Sequence, residues 1–456
     1  MTTSGNAVED APGPGVRGLR VSAVFGDILD RAVQSGTGGA SWRVCVVFVL
    51  IASMGVGCDR SPGPGSSSRR EVSTAHSPVD RAIRVLLRDE IDACRVVVKG
   101  SFDVRDAGRG TPLARNLALP SLLVEFADGR ISFPDLGQAF EVEAVDVLPH
   151  DSDAVGVEFS QGDRRRYRGT LRLMHTPERG GAVVNVVDVE DYLIGVVSAE
   201  LPRSFHEEAF RAQAVAARTF AWYQKQTAGR SRPWDVTATE SSQVYLGLGH
   251  QSRVPQAARA VTDTYGLVCT WSSPEGERIF CTYYSSTCGG STQAAGPVKN
   301  EPFIPPLAGG VTCDYCRHSP SCRWGPVRVE KSVITERLRD RYPKFNSIGP
   351  IERVEVTDRT SFGRPVRLSF VDAQGSAIEL EAENFRLTVD PGGRMIRSTF
   401  FLLSDDGEAV LLTGGRGFGH GIGMCQYGAD GLARAGWTAG RILGYYYPSS
   451  RVTRAY

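Results

Sequence analysis

Glu190-Asp-Tyr-Leu-Ile-Gly-Val-Val-Ser-Ala-Glu200-Leu-Pro202 runs into Ser204-Phe-His-Glu207 and then into Glu208-Ala-Phe-Arg-Ala-Gln-Ala-Val-Ala-Ala-Arg218-Thr-Phe220. Ser204 and Glu207 have the spacing of a capping box, with Pro202 just upstream, and so predict a helix start. From Glu208 to Gln226 alanine and other good helix formers dominate, with Ala209, Ala212, Ala216 and Phe220 on one side. Glu200 therefore falls after an apolar segment and immediately before the turn that opens a helix. A carboxyl held there can be partly desolvated, which raises its pKa and leaves it protonated for general-acid work. Arg211 and Arg218, seven residues apart, share a helix face. Arg211 has Glu207 four residues earlier as a plain partner. Arg218 has Ala214 and Trp222 at those spacings, so its guanidinium must find a carboxylate, carbonyl or ligand elsewhere. On these residues alone, a structural glutamate and a structural arginine are the plainer reading.

Upstream, Ile83–Leu87 is an apolar run of strand length. From there to about Asp188, segments such as Cys94–Val98, Leu122–Phe126, Val155–Phe159, Tyr167–Leu173 and Val183–Val187 alternate and break at Gly, Pro and Asp. Downstream come cysteine-bearing loops over roughly 269–325, a mixed stretch from Ser332 to Leu412, and a glycine-rich loop with a helix to Pro448. The fold class that follows is α+β: a β-rich N-terminal part, an inserted catalytic helical segment and a C-terminal α/β part. Gly (51) and Pro (25) fit many turns and short strands rather than a helical bundle. With 52 basic and 51 acidic residues, nothing argues for steering toward nucleic acid.

Two further groups carry chemistry. Cys313-Asp-Tyr-Cys316, with Cys288 before it and His318 and Cys322 after it, has the spacing of a closed tetrahedral zinc site. The expected ligands are Cys288, Cys313, Cys316 and Cys322, with His318 as substitute. Disulfides are the alternative in an exported chain. A structural zinc is expected rather than a catalytic one, since four protein ligands leave no open position. Gly417-Phe-Gly-His-Gly-Ile-Gly-Met-Cys-Gln-Tyr-Gly-Ala429 presents His420, Gln426 and Tyr427 from a loop whose glycines permit close backbone approach to a ligand. No Gly-Lys-Ser/Thr follows, so a phosphate cradle is not expected. Tyr445-Tyr-Tyr-Pro448 suits either core or a carbohydrate platform.

At the N-terminus Arg43 precedes the apolar run Val44–Ala52, too short to span a bilayer but suited to the core of a secretory signal. Met54-Gly-Val-Gly-Cys58 resembles a lipoprotein cleavage box, with Gly55 where an aliphatic residue is usual. Residues 1–42 read as a disordered extension, 43–58 as the signal, 59–80 as a flexible linker, and 81–456 as the catalytic region. The chain is thus expected outside the cytoplasmic membrane, anchored through lipidated Cys58 or an uncleaved signal.

Taken together, Asn185-Val-Val-Asp-Val-Glu-Asp-Tyr-Leu193, Gly195–Pro202, Glu208–Phe220, Thr282-Tyr-Tyr-Ser-Ser-Thr-Cys-Gly-Gly290, Gly417–Ala429 and Tyr446-Tyr-Pro448 resemble the family of stage II sporulation protein D, which includes the amidase enhancers. The resemblance covers about Ile83 to Tyr456. It implies a peptidoglycan lytic transglycosylase acting on glycan strands already stripped of stem peptides by an amidase. It also implies Glu200 as catalytic acid and base, and the expected substrate-binding residues are Arg211, Arg218, His420, Gln426 and Tyr427. Arg211 stands where Lys is usual. The family's zinc is held by a His and Cys ligands, and Tyr284 stands at that His position, so the ligand set here must differ. Hydrolytic glycosidases usually need two carboxyls, whereas an intramolecular transfer to the muramic C6 hydroxyl needs one. The competing expectation is a non-catalytic glycan-binding enhancer of an amidase.

Overall fold

The computed structural model describes residues 80–150, 155–159, 163–176, 180–251 and 253–456. The expected extension, signal, Cys58 and linker up to residue 79 lie outside them. Among the described residues no helix is long and apolar enough to cross a membrane.

Side chains that alternate inward and outward build the β-rich part: Ala93–Val98 and Phe102–Asp106 bury every second residue, the two-residue period of a half-buried strand. A seven-stranded sheet runs, edge to edge, through Val236–Thr237, Ala82–Ile91, Gly180–Asp188, Thr170–Thr176, Ala144–Pro149, Phe102–Asp106 and Pro112–Leu117. A six-stranded sheet runs through Arg164–Tyr167, Val155–Glu158, Ala93–Val98, Leu122–Ala127, Arg130–Phe133 and Gln138–Phe140. Val85, Val147, Leu173 and Val183 of the first share one core with Val96, Val124 and Phe126 of the second. Gly181 permits the close contact between them, because a Cβ there would stand 2.2 Å from the Phe126 ring.

The helical segment lies between two strands of the larger sheet. Helix α1 (Val189–Glu200) starts where Asp188 ends its strand and caps the helix, its side chain accepting from the Glu190 N–H at 2.9 Å. The apolar segment ahead of Glu200 is thus itself a helix, and Glu200 is its last residue. Helix α2 (Glu207–Gln226) is capped by His206 rather than Ser204, with His206 Nδ1 accepting from the Glu208 N–H at 3.2 Å. The reason is local: Phe205 N–H closes a turn onto Pro202 O at 3.0 Å, leaving Ser204 inside that turn. Helix α3 (Pro255–Asp263) packs against both α1 and α2.

Arg218 lies wholly buried on α2, and its Nε and Nη2 grip both oxygens of Glu190 at 2.8 and 2.7 Å. Its remaining donors go to Leu267 O at 3.0 Å and to more distant acceptors on Ala214, Val261 and Thr264. Glu190 Oε1 also accepts from the C-terminal Tyr456 hydroxyl at 2.5 Å. The expectation that Arg218 meets substrate is therefore corrected: its donors are spent on bracing α2, α1 and the chain terminus. Arg211 is likewise engaged, with Asp263 at 2.8 Å and with Glu208 and Glu207.

Between Trp324 and Gly415 the chain builds a second unit with its own core, including Ile334, Leu338, Phe370, Phe385 and Leu412. Helices α4 (Lys331–Arg341) and α5 (Ala382–Val389) pack beside the antiparallel strands Ile351–Arg359, Pro365–Asp372 and Ala377–Glu381. Its neck is a two-strand pair, Arg323 opposite Arg416 and Trp324 opposite Gly415. The chain then closes with α6 (Gln426–Arg434) and α7 (Ala439–Tyr446). Tyr446 and Tyr447 are buried, so the terminal tyrosine run belongs chiefly to the core.

Removing one member of a buried, hydrogen-bonded ion pair strands the other charge, at a cost of about 3–5 kcal/mol. Arg218→Met should therefore lower the melting temperature sharply. The double variant Arg218→Met/Glu190→Gln should recover part of that loss in calorimetry.

Candidate active site

Glu200 ends α1 with its carboxyl enclosed by three donors from distant segments. Oε1 accepts from the Val244 N–H at 3.0 Å and from the Tyr284 hydroxyl at 3.4 Å, while Oε2 accepts from Gln426 Nε2 at 3.1 Å. Behind Tyr284 lies a buried relay: Gln243 Nε2 donates to the Tyr284 hydroxyl at 3.0 Å, and Gln243 Oε1 accepts from the Tyr192 hydroxyl at 3.0 Å. Burial is the largest influence on Glu200 and raises its pKa; the hydrogen bonds from Val244, Gln426 and Tyr284 oppose that rise without cancelling it, and Glu240 adds a like-charge push. Burial also drives the Tyr284 phenol well above its ordinary range, so it stays a donor. The side chain is densely surrounded yet keeps one edge on a cleft of about 760 Å³, where it is the only acidic residue among those lining the walls.

The donors are set by a second feature. Tyr284–Ser285 pairs in parallel with Met424–Cys425. Three residues after Ser285 stands Cys288, whose N–H donates to Cys425 Sγ at 3.2 Å. Cys288, Cys313, Cys316 and Cys425 are all buried, with their sulfurs within 4.8 Å of one another, and Cys288 Sγ to Cys316 Sγ is 3.9 Å. That separation is far beyond a disulfide bond. Cys425 also caps α6, its sulfur accepting from the Gly428 N–H at 3.3 Å, so backbone donors favour negative charge on it. Cys316 is held below its ordinary range, first by Cys288, whereas burial pushes Cys425 well up.

The expected ligand set is corrected at one position: Cys425, not Cys322, is the fourth sulfur. Cys322 is partly exposed, beside a cavity also lined by Cys313, Cys316 and Arg317. Its backbone carbonyl is fixed by the Gly417 N–H at 3.1 Å in the approach to the neck. His318 is not a substitute, because Nε2 meets Asp430 Oδ2 at 3.2 Å and Nδ1 meets Tyr315 O at 3.1 Å.

The glycine-rich loop divides its three expected residues. Gln426 reaches Glu200 and, at 3.5 Å, Gln213 Oε1. Tyr427 sets its ring edge-on against Phe205, 4.9 Å between centroids, and so supports the loop after Glu200. His420 turns to its own loop: Nδ1 accepts from the Ile422 N–H at 2.9 Å, and burial lowers its pKa to about 3, keeping it neutral. Gly423 (φ +66°) is needed there, since a Cβ would stand 2.0 Å from Tyr283 O. Sequence reading missed Gln243, Val244 and Cys425 as parts of the site. No local pattern marks Gln243 or Val244, whereas Cys425 lies inside the glycine-rich stretch Gly417–Ala429 and Tyr284 inside Thr282–Gly290, both of which the sequence singles out.

The fold and site define a mixed α+β protein organised around one buried carboxyl and a neighbouring thiol cluster. The family model described as "Stage II sporulation protein" matches residues 178–271, and one described as a domain of unknown function matches 317–423, which takes in the second unit. The chain is 26% identical over 284 residues to stage II sporulation protein D of Bacillus subtilis, covering 60% of this chain and 76% of that protein. It is 27% identical over 297 residues to the amidase enhancer of the same organism, covering 57% of this chain and 40% of that protein. An uncharacterized protein of Brachyspira hyodysenteriae is 30% identical over 272 residues, covering 58% and 66%. These matches support the stage II sporulation protein D and amidase enhancer family for this chain, and with it a cell-wall related role.

A carboxyl whose pKa is raised on folding binds its proton more tightly folded than unfolded. Its stabilising effect is complete below the ordinary value of 4.5 and is lost as pH rises through the raised value. Glu200→Gln should therefore melt close to the parent at acid pH below that value and above it at neutral pH. A variant that melts lower than the parent at neutral pH would contradict a desolvated acid.

Proposed function

We propose that this chain is a lytic transglycosylase that cleaves the bond between N-acetylmuramic acid and N-acetylglucosamine in peptide-stripped glycan, leaving a 1,6-anhydro end. The observation that carries the reading is the solitary carboxyl. Glu200 alone among the cleft-lining residues is acidic, and its raised pKa suits a proton donor. Its acid proton goes to the glycosidic oxygen as the C1–O bond breaks. The resulting carboxylate takes the proton of the muramic C6 hydroxyl as O6 bonds to C1, which restores the acid with no water consumed. Oε1 carries two of the three donors, so Oε2, with only Gln426, is the oxygen suited to hold the mobile proton. Val244 and Tyr284 steady the carboxylate in the interval between the two transfers.

Four sulfurs at these separations suit zinc, which binds thiolates at about 2.3 Å in a tetrahedron. Cys288, Cys313, Cys316 and Cys425 would hold it, and bound there it would supply charge compensation and rigidity. We also infer export and membrane anchoring through Val44–Ala52 and Cys58, and a cell-wall amidase as partner, a reading supported by the likeness to the amidase enhancer.

Glu200→Gln should slow release of anhydro-sugar from peptide-stripped glycan by about 10²- to 10⁴-fold, the usual contribution of a general acid–base group. Product is read by mass. Undiminished cleavage would remove Glu200 from the mechanism. If neither protein cleaves but both stimulate an amidase, the chain is a glycan-binding enhancer. Elemental analysis should give about one zinc per chain, as for a four-cysteine site. Cys425→Ser should lose it and Cys322→Ser should keep it. Covalent pairing of Cys313 or Cys316 in disulfide mapping would overturn the metal site.

A further inference from the structure

The cleft beside Glu200 has small or apolar walls except at two points, Arg203 and Arg253. Both side chains are exposed. Arg203 offers only its backbone carbonyl, which accepts from Gln256 Nε2 at 3.2 Å. Among the described residues neither guanidinium has a carboxylate partner, whereas the arginines on the adjoining helices do: Arg211 with Asp263, Arg218 with Glu190, and Arg259 with Glu207 at 3.5 Å. The two cations thus line an otherwise nearly uncharged groove without a carboxylate partner among the described residues. They come from separate segments, one just after α1 and the other just before α3. With a formal net charge of +1, the chain as a whole supplies no general attraction for anions. Attraction for an anion in this cleft would come from these two arginines.

This argument rests on the glycan reading given above. Amidase action hydrolyses the amide joining the stem peptide to the lactyl group of muramic acid, and the lactyl carbon is left as a free carboxylate. In unstripped glycan the same group is a neutral amide. A guanidinium binds a carboxylate through two parallel charge-assisted hydrogen bonds and gains far less from an amide. We propose that Arg203 and Arg253 form a subsite for the muramic lactyl carboxylate, and that this subsite makes the cleft selective for stripped over peptide-bearing strands. Selectivity then comes from reading the charge that the preceding hydrolysis creates, and not from excluding the bulk of the peptide alone. The arginines are specificity residues and touch no reacting atom.

The test uses the full chain with two probes: peptide-stripped glycan, and the same glycan with its lactyl carboxylates capped as methylamides. Binding is measured in the Glu200→Gln background and cleavage in the parent. The parent should prefer the uncapped glycan. Arg203→Gln/Arg253→Gln should weaken uncapped binding about 10-fold, the scale of a charge-assisted hydrogen bond, and leave capped binding unchanged. Arg115→Gln, an exposed change on the outer strand of the larger sheet, should alter neither. Rising salt should erase the preference in the parent and have little effect in the double variant. If cleavage depends on Glu200 but the preference survives loss of both arginines, the subsite is wrong and the acid stands. An arginine-dependent preference in a protein that cleaves neither glycan would uphold the subsite and remove the lyase.

Discussion

The parallel contact of Tyr284–Ser285 with Met424–Cys425 is the constraint on which the rest of the site depends. Each of these short strands carries one residue that reaches Glu200, Tyr284 on one and Gln426 just beyond the other. Each also leads to a cysteine of the thiol cluster. Two-residue strands hold little by themselves, because an isolated pair of that length cannot offset its own ordering entropy. The Cys288 N–H, donating to Cys425 Sγ at 3.2 Å, links the two segments just beyond the pair and so helps hold the donors around one carboxyl. Proton chemistry on α1 and thiol chemistry in the loops are therefore parts of one arrangement, although no residue belongs to both.

That arrangement explains why polar side chains are tolerated in so apolar a setting. Glu200 lies against a core containing Val196, Val197 and Phe210. Burying a carboxyl there is unfavourable unless it is neutral or well supplied with donors. Tyr192, Gln243 and Tyr284 pass donors toward it through a continuous chain of hydrogen bonds, each satisfied by its neighbour. The second unit also reaches toward the cluster. Arg364, itself buried, donates to Cys288 O at 2.6 Å, placing a cation close to the sulfurs. A neck of two short strands, this long side chain and Arg397, which donates to Ser321 Oγ at 3.1 Å and whose carbonyl accepts from the Gly419 N–H at 2.8 Å, tie the unit to the site.

How much was legible in the sequence follows from where each signal lies. Helix α2 was readable because its alanines recur on one side. Helix α1 was read only as an apolar segment, since Val189, Tyr192, Leu193, Val196 and Val197 point into core on several sides and blur the helical period. Arg218 was recognised as needing a partner, and Glu190, twenty-eight residues earlier, supplies it; local spacing could not name it. Cys425 lies 137 residues from Cys288 in a glycine-rich loop with no metal-ligand spacing. Cys322, close to the Cys313–Cys316 pair, was the natural choice from sequence. The family resemblance located Glu200, and the three-dimensional structure supplied the reason its pKa rises.

The most direct measurement of that central point is the protonation of Glu200 itself. Carbon-13 NMR of the carboxyl, identified by its loss in Glu200→Gln, follows the titration without substrate or partner. A midpoint above the ordinary value of 4.5 is expected, with a move toward that value when Cys425→Ser loosens the thiol cluster. A midpoint at or below 4.5 would mean that the donors outweigh burial, and Glu200 would then be a carboxylate with no proton to give.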